Sequence, residues 1–197
     1  MASVLPFDEI NALVGQSFDD AAESGSLEKV TDDLLAILIQ AYRLGIASTA
    51  ESLSVEIEDE IDELYEIVFA RIDGITFEDR AEKHFSAGDK SGLLMLAGSE
   101  AHRVFETAAF KAAGRASASY NIGVGKMWQT MMDDRVRETH DYLQSRVVGL
   151  NEEFYTFDGD HAYFPGGFTD PSNNVNCRCH VRYVRSAGLA SLGQGSP

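Results

Sequence analysis

Cysteine is almost missing from this chain: 197 residues contain two, Cys177 and Cys179, one residue apart. That spacing excludes a disulfide framework. On an extended segment the two side chains share a face, but their β-carbons lie beyond the roughly 3.8 Å that a bridge spans. Each can instead ligate a metal or sit buried as a thiol. Basic residues are also scarce, 16 against 32 acidic ones, for a formal net charge of -16. No window approaches about eighteen uninterrupted apolar residues, so no membrane-spanning helix is expected. Met1 to Ile10 includes Asp8 and Glu9 and lacks the basic-then-apolar order of a secretion signal, which implies the cytoplasm or something assembled there. Neither G-x-S-x-G nor H-E-x-x-H occurs, and the adjacent acids Glu152 and Glu153 point apart rather than flanking a substrate. An enzyme reading has little support.

What is present suffices for a folded body. With 44% hydrophobic residues, the chain can bury one core, or one core with a helical appendage. The charge is uneven. Residues 1–85 carry 20 acidic and 5 basic side chains, net -15, whereas residues 86–197 carry 12 and 11, net -1. A front half of that sign repels phosphate, so direct nucleic-acid binding through it is not expected.

Helical spacing predicts a first helix over Leu5 to Ala22, ended by Ser24-Gly25-Ser26, and a second over Leu27 to Leu53. The second is apolar nearly all round, so it is central in a bundle or pairs with a partner, and self-association through these helices is expected. A third is predicted over Val55 to Ile72, with Ile57, Ile61, Leu64, Ile67 and Val68 opposite a stripe of acids. That stripe is either a solvated face or a docking surface for a basic partner. Phe77 to Phe85 reads as a short helix and Ser86 to Gly92 as a loop. A long alanine-rich helix follows over Leu93 to Ala118, on which Arg103 can pair with Glu100 and Glu106. His84 and His102 read as structural.

After Tyr120 the pattern changes. Gly123 and Gly125 lack the lysine and serine or threonine of a phosphate loop and are read as a turn. Strands are predicted over Lys126 to Met131, Glu153 to Phe157 and Cys179 to Val184, with a helix over Asp133 to Ser145 between the first two. Asp158-Gly159-Asp160 and Pro165-Gly166-Gly167 mark loops, and His161 to Pro165 reads as an aromatic loop on the core. The expected fold is α+β: a mostly helical N-terminal part, then a small α+β module with a short C-terminal sheet. Its divisions are an acidic helical region over 1–92, the module over 93–185 and a flexible tail over 186–197.

The chemistry-bearing residues gather in two clusters of the last third. Trp128, Asp133, Arg135, Arg137 and His140 form one, and Asn176, Cys177, Arg178, Cys179 and His180 the other. A structural account covers each. Asp133 can cap a helix and pair with Arg137, Arg178 can grip a carboxylate, and Asn176 suits a turn. The functional account requires the clusters to meet. His140, Cys177 and Cys179 would then supply three ligands of a tetrahedral zinc site, with Asp133, Asp141, His161 or His180 as the fourth. An open fourth position would permit hydrolysis, so a metal-dependent hydrolase or nuclease is the alternative reading.

In order and spacing, Trp128, Asp133, Arg135, Arg137 and His140, then Pro165 and Asn176-Cys177-Arg178-Cys179, resemble the Mu F-like minor head proteins of tailed bacteriophages, also called head morphogenesis proteins. The resemblance covers about residues 93 to 184 and leaves the acidic front outside. It implies a non-enzymatic virion component in few copies, associated with the portal protein or the major capsid protein at the portal vertex or capsid interior, and made in the host cytoplasm. In that setting Trp128, Asp133, Arg135, Arg137, His140, Asn176, Cys177, Arg178 and Cys179 lock the fold. Some relatives carry a C-terminal toxin or nuclease; the sequence ends about a dozen residues after the motif, so no such cargo is expected. Gln144 to Asn151 departs from the family pattern in being longer and less glycine-led.

Overall fold

The computed structural model describes residues 7–24 and 26–186, with the side chains of the first helix described from residue 12 to residue 23. The expectations for Leu5, Pro6, Gly25 and residues 187–197 fall outside these residues. The α+β expectation holds. Five helices come first, α1 (Phe7–Ser24), α2 (Leu27–Leu53), α3 (Ile61–Val68), α4 (Phe77–Ser86) and α5 (Lys90–Tyr120). The back half holds β1 (Val124–Gln129), α6 (Glu138–Asp141), β2 (Val147–Gly149), β3 (Phe154–Tyr155), β4 (His161–Ala162), α7 (Pro171–Asn174) and β5 (His180–Arg185).

Helix α2 starts where the Ser26 hydroxyl accepts the Lys29 amide and stops at Ser54, which takes a left-handed conformation. Helix α5 is capped by the Asp89 carboxylate, which accepts the Gly92 amide at 2.8 Å, so the loop predicted over Ser86 to Gly92 shrinks to three residues. The two helices lie against each other unusually closely. A Cβ on Gly45 would sit 2.4 Å from the Phe105 carbonyl oxygen and 3.1 Å from the Ala109 nitrogen, and Thr49 Oγ1 donates to the Ala109 carbonyl. Alanines on α5 permit that approach. Gly45→Ala is therefore expected to destabilise the chain by about 1–3 kcal/mol through overpacking, even though alanine favours a helix by about 1 kcal/mol. Urea unfolding checks this, and a variant as stable as the wild type would mean the helices do not touch there.

Helix α3 begins at Ile61, not near Val55. The backbone of residues 56–60 is held from outside instead. Tyr120 Oη donates to the Glu56 carbonyl, Arg115 Nη2 to the Glu58 carbonyl, and Tyr42 Oη both donates to the Glu60 carbonyl and accepts the Glu60 amide. These side-chain bonds satisfy backbone groups of residues 56–60 without a helix, and the crowded acids gain from the extended spacing. Ile61, expected on the buried face, is exposed. Nor is the acidic stripe simply solvated, because Glu66 pairs with Lys111, and Glu60 and Glu63 with Arg115, tying α3 to α5.

The described residues form two apolar cores joined by α5, whose 31 residues run roughly 46 Å. Leu93, Ala97, Ala101, Val104, Phe105, Ala108 and Ala112 face the first core, with α1 to α4. Ala109, Ala113 and Ala116 face the second, with Trp128, Leu143, Phe154, Phe168 and the two cysteines. There β1 is the middle of an antiparallel sheet ordered β2-β1-β5, with Trp128 opposite Val181 and Lys126 opposite Tyr183, while β3 and β4 form a separate hairpin. Gly125, read as a turn, lies inside β1 facing Gly149 and Val184.

Candidate functional site

The strand β1 alternates, so Lys126 and Trp128 both face inward and are fully buried. The predicted helix over Asp133 to Ser145 is mostly absent. Met132 is left-handed at φ 54°, Asp133 Oδ1 accepts the Arg135 amide in a tight turn, and Ser145 is again left-handed at φ 61°. Only Glu138–Asp141 is helical. Without that helix, Asp133 and Arg137 do not pair. Arg178 Nη2 donates to Asp133 Oδ1 at 2.7 Å, and Arg137 Nη2 donates to the Val175 carbonyl. Both contacts pin the β1–α6 connection to the segment that carries the cysteines. The Arg178 guanidinium also holds the Asp133 carboxyl down to about 2. Arg135 reaches Asp133 more loosely, at 3.6 Å.

His140 is 1% exposed, edge-on to Trp128 and stacked on Phe168. Its Nδ1 lies 3.5 Å from Cys177 Sγ and 3.5 Å from Cys179 Sγ. Among the described residues, this is the one group of three or more metal-capable side chains whose ligand atoms converge, all within 4.8 Å. Both sulfurs are buried thiols. Cys177 keeps its proton more firmly because it donates to Cys179, and burial adds to this; the same contact pulls Cys179 down. The expected fourth ligands lie elsewhere. Asp133 is taken by Arg178, His180 Nε2 contacts Gln129 Oε1, His161 packs edge-on to Tyr155 in the β3–β4 hairpin, and Asp141 stays exposed. Beside the three residues lies a cavity of about 10 Å³ bordered by Arg135, Arg137 and Arg178.

Asn176 turns the chain into the cysteine segment in a left-handed conformation, φ 55°, as its residue type permits. Its side chain reaches Met95 Sδ on α5 rather than its own backbone. Arg103 pairs with Glu100, which also receives Arg80, but not with Glu106. Glu106 is fully buried, where desolvation drives its carboxyl well above the usual range.

Three contributors carry no motif signal. His102 Nε2 donates to the Cys179 carbonyl at 2.7 Å, tying the cysteine segment to α5; helical spacing marks it only as inward-facing. Lys126 sits among Phe110, Phe154 and Tyr163, donates to the Tyr163 carbonyl, and is lowered to about 8 by burial. A lysine in a strand looks exposed in sequence. Asp160, read only as a turn residue, accepts the amides of His161, Thr169 and Asp170 and the Asn173 Nδ2. Burial would raise its carboxyl, but these four donors outweigh it and hold it low.

The chain is 29% identical over 98 residues to the Minor head protein GP7 of Bacillus phage SPP1, covering 50% of this chain and 31% of that protein. It is 40% identical over 58 residues to the NAD(+)–arginine ADP-ribosyltransferase EFV of Enterococcus faecalis, covering 29% of this chain and 12% of that protein. The chain thus spans less than a third of either relative's length. No solved structure matches it. The phage Mu protein F like protein family matches over residues 62–182, so the shared region takes in α3 and α4 and starts about thirty residues earlier than the motif spacing implies. With a match over more than half its length that contains both motif clusters, the chain belongs to the phage Mu protein F like family.

Proposed function

We propose that the chain is a structural, non-enzymatic component of a phage head, present in few copies and bound to the portal protein or the major capsid protein. Its family and its likeness to a minor head protein support this reading. The observation that carries it is that Arg137, Arg178, Trp128 and His140 of the motif, helped by His102 outside it, are spent on internal contacts. Arg178, Arg137, His102, Trp128 and His140 each bind or pack one segment of the module against another, and the space beside them is about 10 Å³, too small for a substrate. Metal-dependent hydrolysis, the alternative for the same residues, lacks a cleft there.

On this reading residues 93–185 are the module and residues 1–92 the contact-making region. The front half offers a contact surface on α3, where Tyr65 and Phe69 stack on each other while 58% and 42% exposed, next to the exposed acid Asp62. A basic, partly apolar surface on the portal or shell would complement it. The location is the virion, after assembly in the host cytoplasm; among the described residues no helix is long and apolar enough to cross a membrane.

Co-expression with the portal and major capsid proteins of the same phage tests the reading. The chain should appear in purified heads at far fewer copies than the shell protein and co-purify with one of the two. A variant carrying Tyr65→Ala and Phe69→Ala should weaken that capture with an unchanged circular dichroism spectrum. Absence from heads together with no capture by either protein would overturn the proposal.

A further inference from the structure

We propose that His140, Cys177 and Cys179 form a zinc site whose fourth ligand is a water or small anion held in the adjoining cavity. The inference stands apart from the head-protein reading and rests on geometry.

Zinc binds thiolate at about 2.3 Å and imidazole at about 2.0–2.1 Å, so a tetrahedral centre sets nitrogen and sulfur ligands about 3.5 Å apart. Both sulfur-to-nitrogen separations here are 3.5 Å, from the same Nδ1. A nitrogen equidistant from the two sulfurs is the arrangement a regular tetrahedral centre with one imidazole and two thiolates would have. The two sulfurs need at most a small closing movement, since every ligand atom already lies within 4.8 Å of the others.

The surroundings suit a buried ion. Two thiolates neutralise a divalent cation, so with water as the fourth ligand the loaded site adds no net charge to an interior where charge is costly. Trp128 Nε1–H is buried beside Cys179, and a metal-bound thiolate would be a stronger acceptor for it than a thiol. The His102 bond to the Cys179 carbonyl holds the Cys-x-Cys backbone in place from α5. The cavity at the remaining position is about 10 Å³, close to the room one water needs. Its rim of Arg135, Arg137 and Arg178 favours a ligand that is neutral or negative, such as water, hydroxide or chloride. No further carboxylate or imidazole converges there among the described residues. Soft sulfur donors in a tetrahedral set select zinc over magnesium or calcium.

The test uses the full chain, purified without chelator. Elemental analysis should find about one zinc per chain, retained through gel filtration. Exchange into cobalt(II) should produce the visible bands of a tetrahedral centre and a thiolate-to-cobalt charge-transfer band. Because the chain has no cysteines besides Cys177 and Cys179, that band reports on this site alone, without any variant. Cys177→Ser should lower metal retention at least tenfold, whereas His140→Cys, which replaces an imidazole with a thiolate that zinc also binds, should keep it. A natively folded wild-type chain that holds less than about a tenth of an equivalent of zinc, and shows no charge-transfer band with cobalt, would overturn the proposal.

Discussion

Trp128→Ala is expected to cost about 3–5 kcal/mol of stability, the range for removing a fully buried large aromatic side chain. The indole has 0% exposure and packs against His140, Phe154 and Phe168 with ring centroids 5.4, 5.1 and 5.7 Å away. Those rings come from α6, β3 and the loop before α7. The loss would therefore fall on the contacts that join separate pieces of the module, not on one element. Collapse of the cavity is limited, because Leu143 and the cysteine segment are anchored by their own hydrogen-bonded turns. Urea unfolding followed by far-ultraviolet circular dichroism measures the change. A loss below about 1 kcal/mol would mean that the tryptophan does not centre this core.

The helical half was legible because its periodicity is long and strongly apolar, and α2 and α4 lie within a residue of their predicted limits. Where the reading failed, contacts distant in sequence decided the local structure. Apolar spacing continues helix-like through Val55 to Glu60, yet Tyr42, Arg115 and Tyr120 take its backbone groups from other helices. Asp133 to Ser145 has helix-compatible residues, but Arg178, forty-five positions away, claims Asp133, and Gln144 Oε1 accepts the amide and hydroxyl of Thr130. No local rule anticipates either. Strands β2 and β4, three and two residues long, leave no alternation to detect. At the candidate site, residue types that attract notice were readable as clusters: tryptophan, histidine, cysteine, paired charges. Lys126 and His102 were not, since their importance comes from burial beneath α5 and beside Cys179, which composition does not encode.

His102 leads to the second large effect. Desolvation lowers its pKa from 6.5 to about 4, although the hydrogen bond to the Cys179 carbonyl opposes the shift, and nearby His180 and His140 lower it slightly further. The fold thus holds a neutral imidazole between pH 4 and 6.5 while the unfolded chain binds a proton there. A histidine with its folded value depressed contributes stability that is complete above 6.5 and lost as pH falls toward 4. The shift corresponds to about 3 kcal/mol. Glu106, one turn along with Oε1 3.9 Å from His102 Nε2, works in the opposite sense. Burial raises its folded value above the ordinary 4.5, so its contribution is complete below that pH and declines as pH rises. The wild-type profile alone therefore mixes two slopes. His102→Gln separates them, because the amide can donate to the Cys179 carbonyl but cannot titrate, while Glu106 is present in both proteins and its contribution cancels in the difference. The stability advantage of the wild type over His102→Gln should shrink by roughly 3 kcal/mol between pH 7 and pH 4. Denaturant unfolding of both proteins at the two pH values measures it. A difference that does not change with pH would show that His102 is not held neutral in the fold.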